Sequence, residues 1–175
     1  MLQVRHSAFE TNSSSMHSLV IKKSSEYYTD EELHTDLWLH DGIWKIYNED
    51  RLEFGRYPFE CLSTFESKVR YAIASICGYR ADNAEKFAEI VSLVTEIIPD
   101  CWEIKLPIQW GSDEPSYGYV DEDILTPFLN SEHISLKEFL TNKRYVVIVD
   151  GDEYCVWDDL KKSGLINFDE IEREN

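Results

Sequence analysis

The residues that could do chemistry gather first in "FETNSSSMHS", residues 9–18. Ser13, Ser14 and Ser15 form a hydroxyl cluster, preceded by Glu10, Thr11 and Asn12 and followed by His17. A serine beside a histidine can act as nucleophile with its base when a third group orients the base, which assigns Ser14, His17 and Glu10 by type. The same stretch suits an anion. Hydroxyls and main-chain amides cradle phosphate oxygens, and Arg5, Thr11, Asn12, Ser13, Ser14 and Ser15 would supply the donors. The competing structural role is a polar turn, because Asn and Ser bond their own backbone.

Metal chemistry has thinner support. Cys61, Cys77, Cys101 and Cys155 never fall in a C-x-x-C pair, which argues against a zinc ribbon or a redox couple. Reduced, mostly buried thiols are expected. A structural zinc would have to assemble across the fold, with His17 and Cys155 as candidate ligands. The carboxylate runs 121–123 and 150–153 lack the spacing of a calcium loop. Neither phosphate-loop, dinucleotide, G-x-S-x-G nor H-E-x-x-H patterns occur, so a resident cofactor is not expected.

Charge points elsewhere. The 175 residues hold 34 acids against 17 bases, a formal net charge of −17. Residues 1–24 are net +2, so the rest of the chain carries −19. Such a field repels a nucleic-acid backbone, whose binding needs clustered Lys and Arg. It suits docking onto a protein with a basic, nucleic-acid-binding groove. The loop "GSDEPSYGYVDED" sets tyrosines among acids, a composition fit for a protein interface. Its partner-facing candidates are Asp113, Glu114, Tyr117, Tyr119, Asp121, Glu122 and Asp123.

The elements that must position these groups follow from periodicity. "SLVIKK" reads as a strand leaving the serine cluster. "LWLHDGIWKIY", residues 37–47, reads as a hairpin, because Asp41-Gly42 favours the positive φ angles of a type I′ turn. Ser63 to Glu66 has the S-x-x-E capping pattern. Phe65, Val69, Ala72, Ile73 and Ile76 then mark one helical face. A second helix starts near Asp82 and stops at Pro99. "CWEIKLPIQW" reads as a strand that Pro107 interrupts, and "SLKEFL" as a short capped helix. Val146 to Val149 suggest a central buried strand, turned by Asp150-Gly151 into a return strand through residue 157. "DDLKKSG" reads as a closing helix, and 169–175 as a frayed acidic tail. Most of the five tryptophans are expected in the core. The expected architecture is one α+β domain over 1–175, a mostly antiparallel sheet packed on a helical hairpin. No apolar run of about 18 residues occurs and no apolar signal core opens the chain, so a cytoplasmic protein is expected.

The segment "VRHSAFETNSSSMHSLVI", residues 4–21, resembles the N-terminus of uncharacterised proteins from phages, prophages and Gram-positive bacteria. "LEFGRYPFECLSTFESKVRYAIAS" and "YVVIVDGDEY" are similar to that family too. Its members place a His soon after a Gly-x-Val-Asp segment, where this chain has Glu122, so a site built on that His would be altered here. The resemblance implies a phage setting and the host cytoplasm. Small acidic phage proteins include inhibitors of host nucleic-acid enzymes, anti-CRISPR proteins among them. The expected function is therefore an acidic inhibitor that binds a basic nucleic-acid-handling host protein, such as a CRISPR effector, and blocks nucleic-acid access. The alternative is a small enzyme or phosphate-binding protein using residues 10–18.

Overall fold

The computed structural model describes residues 4–5, 16–22, 25–47, 52–54, 60–78, 82–120 and 123–150, with 4–5, 16–18 and 150 described by their backbone. The fold is α+β. Three small sheets and five helices occur among the described residues. In chain order they are β1 (Val4–Arg5), β2 (Met16–Ile21), α1 (Asp30–Asp36), β3 (Leu39–His40), β4 (Ile43–Lys45), β5 (Glu53–Phe54) and β6 (Glu60–Leu62). Then follow α2 (Phe65–Cys77), α3 (Asn83–Ile97), β7 (Glu103–Lys105), β8 (Tyr119–Val120), α4 (Leu125–Glu132), α5 (Leu136–Thr141) and β9 (Tyr145–Asp150).

The largest sheet runs β1-β2-β9-β6, all antiparallel. Its inner strand β9 carries the apolar run seen in sequence, and Val146 through Val149 are buried. The expected return strand, the closing helix and the acidic tail lie outside the described residues. The expected hairpin is β3-β4, with Asp41 at φ 48° and Gly42 at φ 72°, as a type I′ turn requires. Two pairings differ from the antiparallel expectation: β4 runs parallel to β7, and β5 parallel to β8. Parallel neighbours carry no turn between them, so no local signal announces them.

Helix α2 is the centre of the molecule. It packs on α3 as the expected helical pair and also meets α1, α4 and α5. Phe65, Val69, Tyr71, Ala72, Ile73 and Ala74 are buried, as are Ser67, Lys68 and Ser75, so burial extends well beyond one stripe. Its start sits one residue later than the S-x-x-E pattern suggests. Thr64 is the cap, accepting from Ser67 N at 3.2 Å, while Ser67 Oγ accepts from Thr64 N at 3.1 Å. Ser63 is occupied otherwise, its carbonyl accepting from the Tyr28 hydroxyl. Glu66 instead pairs with Arg70 one turn on, 3.1 Å away.

Lys68 is an unexpected core residue. Its ammonium donates to the carbonyls of Phe139 and Asn142, at 3.1 and 2.8 Å, at the C-terminal end of α5. It also lies 5.0 Å from the Tyr28 ring centroid and 5.6 Å from that of Phe139. A cation among terminal helix carbonyls and aromatic faces recovers part of its lost hydration. Burial still dominates and, with the Lys22 charge, lowers its pKa to about 7 against the pull of Asp36 and Glu138. Asn142, fully buried, ties this corner together. Its amide donates to Ser25 Oγ at 2.8 Å and Glu138 Oε1 at 2.9 Å, and Arg144 N donates to its Oδ1 at 3.0 Å.

Two helices had no sequence expectation. α1 is capped by Thr29 and Glu32 in a capping box and buries only Leu33, too little for a periodic signal. α4 holds Pro127 in its first turn, where the missing N–H is no loss. The tryptophans also depart from expectation. Trp44 is core, but Trp38, Trp102 and Trp110 are 87%, 60% and 93% exposed. Trp157 lies outside the described residues. Cys77 and Cys101 are buried and Cys61 is half-buried, with no disulfide among the described residues. Among the described residues no helix is long and apolar enough to cross a membrane.

Candidate functional site

The loop between β7 and β8 folds back on itself after Pro107. Ser116 N donates to Pro107 O, and Gln109 N to Glu114 O, each at 2.8 Å. Ile108 and Pro115 bridge between those bonds. The tip is Trp110, Gly111 at φ 82°, Ser112 and Asp113, closed by Ser112 N on Gln109 O at 3.1 Å. Ser112 Oγ accepts from Glu114 N at 3.0 Å, which sets the direction in which Glu114 leaves the turn.

The chain then presses against β5. Tyr119 N donates to Leu52 O at 2.9 Å, and β8 pairs with β5. Gly118 makes this approach possible. A Cβ there would lie 2.3 Å from Leu52 O, and its φ of 81° favours glycine. Tyr117 packs edge-on against Phe87 of α3, with centroids 5.6 Å apart. The first turn of α3 thereby becomes the facing wall.

Between these parts lies an open cleft of about 680 Å³. Its walls include Glu53 from β5, Asn83 from α3, and Gln109, Glu114, Tyr117 and Tyr119 from the loop. Among the described residues two carboxylates line it and no Lys, Arg or His does. Tyr117 has its pKa raised, first by burial and then by the neighbouring Cys77 and Glu114, so its phenol stays neutral. The cleft thus offers acceptor carboxylates, amides and phenols around an aromatic wall. That set can receive a guanidinium or ammonium group, by charge and by cation–π contact. No family model matches this chain, and comparisons with curated proteins and with solved structures also found no match.

The sequence candidates divide accordingly. Glu114, Tyr117 and Tyr119 meet in the cleft, and Asp113 is exposed at the loop tip beside it. Asp123 does not line the cleft. Its Oδ1 accepts from Ser75 Oγ at 2.6 Å and from Thr126 N at 3.1 Å, which anchors the start of α4 on α2. Asp121 and Glu122 lie outside the described residues. So do Glu10, Thr11, Asn12, Ser13, Ser14, Ser15 and Cys155. The register places Arg5 opposite Leu19 and His17 opposite Val149 in the large sheet. No group of three or more potential metal ligands occurs among the described residues. Glu53, Asn83 and Gln109 were not anticipated, because parallel pairing and a helix start bring them to the loop.

Proposed function

We propose that this protein is an acidic inhibitor that engages a basic nucleic-acid-handling protein, such as a CRISPR effector, and denies nucleic acid its groove. The observation that carries the reading is the cleft between β5, α3 and the 107–120 loop, whose described walls hold carboxylates and tyrosines and no cation. Arg and Lys side chains that normally hold phosphates would enter it, with Glu53 and Glu114 standing in for the phosphate charge. The net charge of −17 supports fast, steered encounter with such a surface. The resemblance of the N-terminal segment to phage and prophage proteins supplies the setting.

The test is direct titration of purified protein against guide-loaded CRISPR effectors and other purified nucleases. Binding is expected at low salt, weakening as salt rises, and competed by the effector's own nucleic acid. Binding that is indifferent to salt and to nucleic acid, or none to any basic partner, overturns the reading.

A further inference from the structure

The 107–116 turn does more than wall the cleft. Among the described residues no large apolar side chain is more exposed than Trp110, at 93%, and Ile108 is 57% exposed two positions before it. An indole left in water adds nothing to the stability of this fold. Its surface is removed from water only when a partner covers it, and tryptophan is enriched among the anchors of protein interfaces. The tip is also pre-shaped. Ser116 N donates to Pro107 O, Gln109 N to Glu114 O, Ser112 N to Gln109 O and Glu114 N to Ser112 Oγ. Gly111 supplies the φ of 82° at the turn. A fixed backbone that presents an aromatic ring with few torsions loses little entropy on binding.

Charge decides what kind of surface the ring meets. Asp113 and Glu114 follow Trp110 by three and four positions, and both are exposed. Between Lys105 and Lys137 the sequence holds six acids and no Lys or Arg. A second copy would bring the same acidic tip and the same net charge of −17, and an anionic membrane would repel it as well. A basic surface attracts it. Gln109 and Glu114, on the two arms of the turn, also line the cleft, so a partner that fills the cleft reaches the ring.

We propose that Trp110 stands in for a nucleobase: it enters a base-stacking pocket of the basic partner, with Asp113 and Glu114 in the places of the neighbouring phosphates. The inference rests on the inhibitor reading and names the subsite that the inhibitor occupies. Proteins that hold unpaired bases stack them on aromatic rings or arginine planes, beside cations that hold phosphate. An indole is flat, bicyclic and close to a purine in size, so the same platform accepts it. Where the platform is arginine, cation–π attraction adds to the contact.

The test measures variants of the full chain against the guide-loaded effectors and nucleases of the titration above, at low and high salt. W110A is expected to bind at least tenfold more weakly at both salt concentrations, through faster dissociation, with an unchanged circular-dichroism spectrum. W110F and W110Y are expected to recover part of that loss, and W110L, apolar but not flat, none of it. D113K is expected to weaken binding chiefly at low salt. W110A that binds like wild type, to a partner the wild type does bind, overturns this proposal and leaves the inhibitor reading standing. W110L equal to W110F makes the ring a general apolar anchor and overturns it too, as does D113K without a loss at low salt. Wild type that binds no basic partner overturns both.

Discussion

Lys68 Nζ donates a hydrogen bond to the carbonyl oxygen of Asn142 at 2.8 Å, from a side chain with no solvent exposure. The donor sits in the first turn of one helix and the acceptor caps another, so a single ammonium joins the start of α2 to the end of α5.

That ammonium makes stability depend on pH. Lys68 has a pKa of about 7 when folded, against about 10.4 in an unfolded chain. Between these values the unfolded chain binds the extra proton, so stability rises with pH. Chemical denaturation is expected to show a gain of about 2 kcal/mol between pH 7 and 9. Burial raises the thiol pKa values of Cys61 and Cys101, so above about pH 9 their ionisation in the unfolded chain works against that gain. Lys68→Met is expected to remove most of the rise. An unchanged slope in that variant would show that the ammonium is not buried as described.

Two glycines with similar φ should respond differently to alanine. A Cβ at Gly42 would meet the Trp102 ring at 2.2 Å, and a Cβ at Gly118 would meet Leu52 O at 2.3 Å. Trp102 is exposed and can swing away, whereas the Leu52 backbone is fixed by the β5–β8 pairing. G42A is expected to cost about 1 kcal/mol, the strain of left-handed backbone. G118A is expected to cost at least about 2 kcal/mol. Thermal unfolding of both variants is the comparison.

His133 ends α4 at φ 55°, where glycine is the common residue. His133→Gly is expected to stabilise the protein by about 0.5–1 kcal/mol, a rise of a few degrees in Tm. The residue is exposed and makes no side-chain hydrogen bond to the other described residues that would offset the gain, so a fall in Tm would count against the assigned end of α4.

The cleft can be tested apart from the fold. Glu53 and Glu114 are exposed, so E53K/E114K should change stability by less than about 0.5 kcal/mol. Partner affinity is expected to fall at least tenfold, mainly through a slower association rate. Stopped-flow binding at several salt concentrations measures it.

Local grammar was the legible part of the sequence. The Asp41-Gly42 turn, the α2 and α3 stripes, the Ser135 cap and the apolar run of β9 all stand where their patterns put them. What escaped depends on distance or on mixed chemistry. Trp38 and Trp102 resemble core residues by type, yet the sheet presents one and the turn carries the other. Lys68 lies within the helical stripe, but no pattern distinguishes a lysine satisfied by remote carbonyls from one in water. In the cleft, Glu114, Tyr117 and Tyr119 share one loop and could be read together. Glu53 and Asn83 reach them only through β5–β8 pairing and the Phe87–Tyr117 contact.

The pairing of β2 with β9 joins residues more than a hundred positions apart, from Met16 with Asp150 to Ile21 with Tyr145. Closing that loop costs entropy before any sheet contact repays it, which slows folding. During synthesis β2 emerges more than a hundred residues before β9 and waits without that partner until β9 leaves the ribosome. Its apolar Leu19, Val20 and Ile21 are then an open edge, so the nascent chain depends on prompt completion, or on a chaperone, to avoid aggregating.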